Sequence, residues 1–219
     1  MDLTIKEVSE SIDISAEWND SPWSGIQTNL LNEYMGELPE HRPQAEFKIA
    51  CDDRCIYVFF KVNDRYVRAV ANHYQDDVCR DSCVEFFFAP GRDVTEGYFN
   101  LEVNCGGTAL FHFQEKQGQG VIPIPERDFE KVALAHSLPE FINPELVEPT
   151  TWTIKYAIPF DILRDYRSFS EPGSGVVWRA NFYKCGDRTS HPHWLAWSPV
   201  DFPQPHFHLP EFFGTVTFE

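Results

Sequence analysis

The side chains with most scope for chemistry lie near the end of the chain, in and after SHPHWLAWSP at residues 190–199. If this stretch is a strand, His191 and His193 share one face, and a second pair, His206 and His208, follows. Imidazole nitrogens bind transition metals, so the four histidines are candidate metal ligands. The alternative is that histidines beside prolines in a surface loop are solvated or bind the backbone, and no Cys or carboxylate stands at a useful spacing beside them.

The same segment carries aromatic rings that could contact the flat face of a ligand. Trp194, Trp197 and Phe207 stand in a run that prolines interrupt repeatedly. Because proline restricts the backbone, these rings would be held in place before a ligand arrives. Trp197 is more consistent with the core, whereas Trp194 and Phe207 either contact a ligand or pack on the sheet edge. The segment therefore favours a rigid aromatic loop at a ligand site over a metal centre.

Two glutamates interrupt apolar runs, Glu85 in CVEFFF and Glu102 in NLEVN. Burying a charge costs several kcal/mol unless it is paired, so we expect these acids to face a groove or a cation, with Arg80 and Arg179 as candidate partners. On neighbouring strands they could serve as glycosidase carboxylates, about 5 Å apart for retention or up to roughly 9.5 Å for inversion. Hydrogen bonding to a sugar, or one solvent-facing acid and one salt bridge, are the open alternatives.

Other enzyme signatures are missing from the sequence. It has no Gly-rich phosphate loop after a strand, no GxSxG and no HExxH. Two cysteine pairs are spaced i, i+4, which is not the CxxC pattern of zinc sites. We expect all six cysteines to be reduced thiols, because a chain of this length does not need disulfides. They are Cys51, Cys55, Cys79, Cys83, Cys105 and Cys185.

The composition limits the class of partner. A net charge of −16 over 219 residues would repel a nucleic acid, and suits neutral or cationic ligands. No segment has the roughly 18 apolar residues that a membrane span needs. The first residues, MDLTIKEVSE, lack the basic and apolar regions of a secretory signal. These features predict a cytoplasmic protein, unless a signal peptide was removed, with no nucleic-acid or membrane partner.

Short apolar and aromatic runs separated by turn residues predict β-strands. The predicted strands are 46–51, 55–62, 66–74, 82–91, 97–104, 108–113, 151–158, 175–186 and 212–218. Alternation is cleanest in TWTIKYAI, and the following PFDILRDY predicts one or two helical turns. Residues 20–45 and 114–150 are predicted to be long irregular loops. The sequence therefore predicts an all-β antiparallel sandwich, with at most one short helix, as a single domain over residues 1–219.

The ordered motifs resemble the family 9 carbohydrate-binding modules, β-sandwich modules first met as appendages of xylanases. The matching pieces run from near Glu46 to the end of the chain and are IYVFFKVND, RDSCVEFFFAPG, YFNLEVNCGG, WTIKYAIPFDIL, VVWRANFYKCGD and LAWSP…LPEFFGTVTF. The resemblance implies sugar binding without catalysis, in a polysaccharide-degradation system. It also implies a site in which two tryptophans sandwich a mono- or oligosaccharide and polar side chains bind its hydroxyls.

Carried over position by position, the resemblance implies that Glu85, Asn104 and Asn181 contact sugar hydroxyls. The family's binding Arg falls on Glu102, which reverses the charge, and its binding Gln falls on Tyr183. These departures leave the identity of the ligand open.

The resemblance also implies two aromatic clamps and a structural calcium ion. The first clamp Trp falls near Cys79, where Tyr74 or Arg80 could close that side of the site. The second falls near Phe207, with Trp194 as a further ring. The calcium ion would lie at one of two Asp-rich turns, although neither has the spacing of a calcium loop. Those turns hold Asp52, Asp53, Asp76 and Asp77.

Two other functions stay open at this point. The chain could be a glycoside hydrolase that uses Glu85 and Glu102 as its catalytic residues. It could also be a sandwich scaffold whose sugar site has decayed and which serves protein interaction. The absent clamp Trp and the acid at position 102 favour the scaffold.

Overall fold

The structure is a computed structural model that describes residues 1–116 and 119–219. In these ranges the strands are β1 (Asp2–Glu7), β2 (Asn29–Leu31), β3 (Glu33–Tyr34), β4 (Gln44–Cys51), β5 (Cys55–Asp64), β6 (Val67–Ala69), β7 (Cys83–Ala89), β8 (Tyr98–Asn104), β9 (Ala109–Lys116), β10 (Gln119–Pro123), β11 (Ala133–His136), β12 (Ile142–Leu146), β13 (Thr150–Pro159), β14 (Val177–Cys185), β15 (Trp194–Ala196) and β16 (Gly214–Phe218). The helices are α1 (Glu126–Phe129) and α2 (Phe160–Arg164), with 3-10 turns at Trp23–Gly25, Val78–Arg80, Val94–Glu96 and Pro210–Phe212. Within the part of the chain that is described, no helix is long and apolar enough to span a membrane.

The strands form two curled layers that β1 joins. The first layer has the order β10-β9-β8-β7-β14-β16-β1, and the second has the order β1-β4-β5-β13-β11. The start of β1 pairs with β16 and its last two residues pair with β4, both in parallel, whereas the other neighbours along the two layers are antiparallel. The predicted antiparallel β-sandwich is confirmed, with one parallel strand that the sequence did not indicate. The expected single short helix is corrected to two, α1 and α2.

Alternation along the strands fills the space between the layers with aromatic side chains. In β13, Trp152, Ile154, Tyr156 and Ile158 are all fully buried on the inward face. Across the core the ring of Phe47 from β4 stacks on Phe182 from β14, with ring centroids 3.7 Å apart. Each such ring contributes about 1.5–3 kcal/mol when it is buried. Much of the high aromatic content therefore holds the two layers together.

The segments predicted as loops contain short strands. Residues 20–45 include β2 and β3, and residues 114–150 include the end of β9, β10, α1, β11 and β12. These pieces are too short to show an alternating pattern, and several pair with strands distant in sequence, such as β11 with β13. The predicted strand 66–74 shortens to β6 because the next two backbone N–H groups, of Val70 and Ala71, donate to the Asp81 carboxylate at 2.8 Å. The six cysteines are all free thiols.

Candidate functional site

The candidate site lies on the outer face of the first layer, where β14, β7 and β8 run side by side. The strand register places Tyr183 opposite Glu85, and Glu85 opposite Glu102. Since side chains that are directly paired point to the same face of a sheet, these three form one row across it. In the neighbouring row, Cys185 lies opposite Cys83. Strand alternation therefore brings two acids and two thiols together on one face.

A cavity of about 190 Å³ opens over these rows. Four of the predicted ligand residues line it, namely Glu85, Glu102, Trp194 and Phe207. The remaining lining residues are Cys79, Cys185, Asp187, Pro205, His206 and His208. The chain also has larger concavities of about 450 and 520 Å³, but these do not place a buried carboxyl group beside an aromatic ring. The smaller cavity is therefore the better candidate for specific chemistry.

The two glutamates in the cavity wall are almost completely buried, with Glu85 1% exposed and Glu102 5% exposed. Glu85 Oε1 accepts a hydrogen bond from Cys185 Sγ at 3.2 Å, and Glu102 Oε1 accepts one from Asn100 Nδ2 at 3.0 Å. Neither acid forms a salt bridge with any residue that the structure describes. The expected partner Arg179 instead donates to the Phe213 carbonyl, and the other, Arg80, pairs with an exposed aspartate.

This environment favours the neutral forms of both acids. Burial and the nearby Glu102 carboxyl raise the pKa of Glu85 well above its usual value. Burial also raises the pKa of Glu102 to about 7, although the hydrogen bond from Asn100 opposes the shift. Near neutral pH the cavity therefore presents a protonated Glu85 and a partly protonated Glu102, and a protonated carboxyl group can both donate and accept hydrogen bonds.

A third acid, Asp187, fixes the orientation of one aromatic ring. Its Oδ1 accepts a hydrogen bond from the indole Nε1 of Trp194 at 2.7 Å. Burial raises the pKa of Asp187. Sequence reasoning missed this residue, although its place just after β14, in KCGD beside the aromatic loop, was the available signal.

The second ring, Phe207, is supported from the sheet. Its ring stacks on Tyr183, with centroids 4.1 Å apart and planes at 8°. The Tyr183 hydroxyl donates to the Phe207 carbonyl at 3.1 Å. Tyr183 is fully buried and does not line the cavity, so it holds Phe207 from below.

His208 anchors the proline-rich loop that carries Phe207. Its Nδ1 lies 2.9 Å from Gln114 Nε2 and 3.0 Å from the Tyr98 hydroxyl. Burial lowers the pKa of His208 to about 4. The imidazole is therefore neutral at pH 7, and Nδ1 accepts a hydrogen bond from the Gln114 amide.

Asn104 and Asn181, which the resemblance assigned to sugar hydroxyls, do not line the cavity; both bind the backbone, and Asn104 Nδ2 also donates to Asp81 Oδ2 at 3.0 Å. The Asn104 amide donates to the Ala71 carbonyl, and its oxygen accepts from the N–H of Thr108. The Asn181 amide donates to the Ser198 carbonyl, and its oxygen accepts from the N–H of Ser198. Both side chains are fully buried, and they hold a turn and the start of the aromatic loop in place.

Tyr74 and Arg80 also lie outside the cavity lining. The Tyr74 hydroxyl donates to the Ile124 carbonyl at 2.8 Å, and its ring stacks on Phe129. Arg80 pairs with Asp77 at 3.2 Å, with both side chains exposed. The position where the resemblance places the first clamp is occupied by Cys79, which does line the cavity.

The four histidines predicted as candidate metal ligands lie in different surroundings. The His191 ring stacks on Tyr66, with centroids 3.7 Å apart. His193 is fully buried, and its Nε2 accepts a hydrogen bond from Lys184 Nζ at 2.6 Å. His206 and His208 line the cavity instead.

One group of residues within 1–116 and 119–219 has the spacing of a metal site. Ligand atoms of Cys83, Glu85 and Cys185 all lie within 4.8 Å of one another. Burial raises the pKa of both thiols. Thiols bind metals as thiolates, so the neutral forms that burial favours do not by themselves favour an ion here.

The Asp-rich turns do not fit a calcium ion. Asp52 accepts hydrogen bonds from two backbone N–H groups and from the Tyr57 hydroxyl. Asp76 Oδ2 accepts two further backbone hydrogen bonds. Asp53 lies beside the Arg54 side chain, and Asp77 pairs with Arg80. These carboxylates already serve turns and ion pairs, and they do not converge on one point.

Comparisons with known proteins identify the family. The model described as Carbohydrate-binding family 9 matches residues 19–218, which extends the sequence resemblance toward the N-terminus. Among curated proteins, no match was found. A proposed carbohydrate-binding protein from Bacteroides uniformis ATCC 8492 is 30% identical, with a TM-score of 0.88 over 100% of this chain and 99% of that one.

Two further solved structures share the fold. Both are family 9 modules from Caldicellulosiruptor kristjanssonii, one in complex with cellotriose and one in complex with glucose. Each is 14% identical to this chain, with a TM-score of 0.66 over 100% of this chain and 94% or 96% of the module. The resemblance drawn from the ordered strand motifs is confirmed, and this chain belongs to carbohydrate-binding family 9.

Proposed function

We propose that this protein binds carbohydrate without catalysis, in the cavity lined by Glu85, Glu102, Trp194 and Phe207. The observation that carries the proposal is the presence of two buried carboxyl groups and two aromatic rings around one cavity. A sugar offers a C–H face that aromatic rings can contact, and a rim of hydroxyls that polar groups can bind. Membership of family 9 supports the same function.

The size of the cavity limits how much of a sugar chain enters. At about 190 Å³ it is smaller than the roughly 300–1,000 Å³ typical of sites for drug-sized ligands. One sugar unit is a suitable occupant, either as a monosaccharide or as one residue of an oligosaccharide. The hydrogen bond that Trp194 donates to Asp187 and the stacking beneath Phe207 hold both rings in place, so little side-chain freedom is lost when the sugar binds.

Glycoside hydrolysis is the second candidate, because Glu85 and Glu102 are direct cross-strand neighbours. Such pairs have Cβ atoms about 4.5–5.5 Å apart, and a retaining glycosidase needs carboxyl groups about 5 Å apart. A retaining mechanism also needs one ionised carboxylate, and because burial raises the pKa of Glu102 to about 7, only part of the molecules carry that form at neutral pH. Both also project from the same sheet face, whereas the two carboxyl groups of a glycosidase flank the bond that is cleaved. These features favour binding.

A glycan array of mono- and oligosaccharides, followed by isothermal titration calorimetry with the best ligand, tests the proposal. We expect binding by the wild type, and losses of about tenfold or more in Phe207→Ala and Glu85→Gln. The matched control is Glu46→Gln, which removes an acid on the second layer that pairs with Lys61 at 2.7 Å. This control is expected to keep full affinity.

Several results would redirect the proposal. A folded protein that binds no glycan contradicts it and favours the scaffold. Loss of binding in EDTA points to a metal ion. Release of sugar from aryl glycosides by the wild type, but not by Glu85→Gln, supports hydrolysis.

A further inference from the structure

The cavity has an unusual balance of charge. Three acids line it, Glu85, Glu102 and Asp187, and none of the described residues that line it is a Lys or Arg. Lys184 is next in sequence to the cavity residue Cys185, but its side chain points to the opposite face of β14. Its Nζ lies 3.1 Å from Asp64 Oδ2, and both side chains are fully buried. Lys184 therefore forms its salt bridge with Asp64 on the inner side of the sheet and does not face the cavity.

The hydrogen-bonding capacity of the acids is also only partly used. Glu85 is 99% buried, yet the one hydrogen bond that its carboxyl group accepts from the described residues comes from the Cys185 thiol. A thiol is a weak donor. Glu102 accepts one side-chain amide, and Asp187 accepts one indole N–H. Several carboxyl oxygens at the cavity thus have capacity for further donors.

We infer that the cavity selects a sugar that carries a free, protonated primary amine, such as a hexosamine. This inference rests on the proposed sugar-binding function and names the class of sugar. An ammonium group offers three N–H donors and one positive charge, which complement three acids in a lining where none of the described residues is a Lys or Arg. The rings of Trp194 and Phe207 add to the preference, since aromatic faces attract cations.

The inference predicts different affinities for sugars that differ in a single chemical group. A neutral hexose has the same ring but brings no positive charge that could stabilise the ionised carboxylates. An N-acetylated hexosamine removes the charge and adds bulk in a cavity of about 190 Å³. Both should therefore bind more weakly than the free amine. A polyanionic sugar should be excluded by the acids and by the net charge of −16.

Binding of an ammonium group should also release protons from the acids, because the bound charge stabilises their ionised forms. The other titratable and charged groups around them are Cys79, Cys83 and Cys185, His206 and His208, Asp77, Lys184, Arg80 and Arg188. The proton release should be smaller in Glu102→Gln than in the wild type.

The test is calorimetric titration of the full chain with glucosamine, N-acetylglucosamine and glucose at pH 7, in two buffers of different ionisation enthalpy. We expect glucosamine to bind at least about tenfold tighter than the other two, with a heat that depends on the buffer. Glu102→Gln should reduce this preference to about threefold or less, and Glu46→Gln should leave it unchanged. Raising the salt concentration should lower the affinity for glucosamine and leave the affinity for glucose unchanged.

The outcomes distinguish this inference from the proposed function. If glucose or N-acetylglucosamine binds as tightly as glucosamine, the amine selectivity is wrong while sugar binding stands. If none of the three sugars binds to the folded protein, both the amine selectivity and the proposed sugar binding are wrong. If glucosamine binds only without EDTA, a metal ion and not the acids recognises the amine, and the inference is overturned.

Discussion

Replacing Glu102 with glutamine should stabilise the unliganded protein at alkaline pH. Burial raises the pKa of Glu102 from 4.5 to about 7 in the folded state. Below pH 4.5 Glu102 is protonated in both the folded and the unfolded chain, so it does not lower the free energy of unfolding. Between pH 4.5 and 7 the unfolded chain loses its proton while the folded chain keeps it, so stability falls as the pH rises. Above pH 7 the loss levels off.

The size of the effect follows from the shift in pKa. A change of about 2.5 pKa units corresponds to about 3 kcal/mol, since each unit is worth about 1.4 kcal/mol. Glu102→Gln keeps an oxygen for the Asn100 amide and cannot ionise. The variant should therefore match the wild type at pH 4.5 and exceed it by about 3 kcal/mol at pH 8.

Urea denaturation at pH 4.5, 6, 7 and 8 measures this difference, which at a slope of about 2–3 kcal/mol per molar urea is a midpoint shift of about 1 M. Glu46→Gln removes a partly exposed acid and should change stability by less than about 1 kcal/mol throughout. The reasoning is refuted if Glu102→Gln is no more stable than the wild type at pH 8, or if its advantage does not grow with pH.

Three further predictions concern the aromatic loop. Phe207→Ala should weaken sugar binding by about tenfold in calorimetry while the fold, followed by circular dichroism, is kept; undiminished affinity would place the ligand elsewhere. Asn181→Ala should lower the free energy of unfolding by about 1–3 kcal/mol, because the buried N–H and carbonyl of Ser198 lose their partner, and a variant as stable as the wild type in urea would contradict this. Burial lowers the pKa of His208 to about 4, so the unfolded chain takes up a proton more readily than the folded one, and the free energy of unfolding falls from pH 6.5 to 4, by about 2 kcal/mol at pH 5. His208→Gln should remove this decrease in stability, and a variant whose free energy of unfolding depends on pH as the wild type's does would refute the prediction.

Strand alternation made most of the fold predictable. The run TWTIKYAI shows which face of β13 is buried, and the family motifs follow the order of the strands. β1 was missed because its parallel pairing with β16 joins opposite ends of the chain, which leaves no local pattern. The short strands in residues 20–45 and 114–150 were missed because two to five residues are too few to show a period.

The site was predictable only in part, for a different physical reason. Glu85 and Glu102 stood out as charges within apolar strands, and the register places them side by side. Asn104 and Asn181 are equally polar, but their amides satisfy turn and loop backbone, which no sequence pattern reveals. Asp187 lies in the loop that follows β14, and it lines the cavity because of the path of that loop, which the sequence does not reveal.

The most direct test of the account follows the tryptophan indole N–H signals by NMR during titration with glucose, cellotriose and glucosamine. Trp194→Phe assigns the signal of the indole that donates to Asp187. Trp18 provides an internal comparison, because its partly buried ring lies on the second layer beside Phe59. We predict that the Trp194 signal shifts with the sugar and that the Trp18 signal stays in place. A shift of Trp18 alone, or of neither, would contradict sugar binding in the cavity of the first layer.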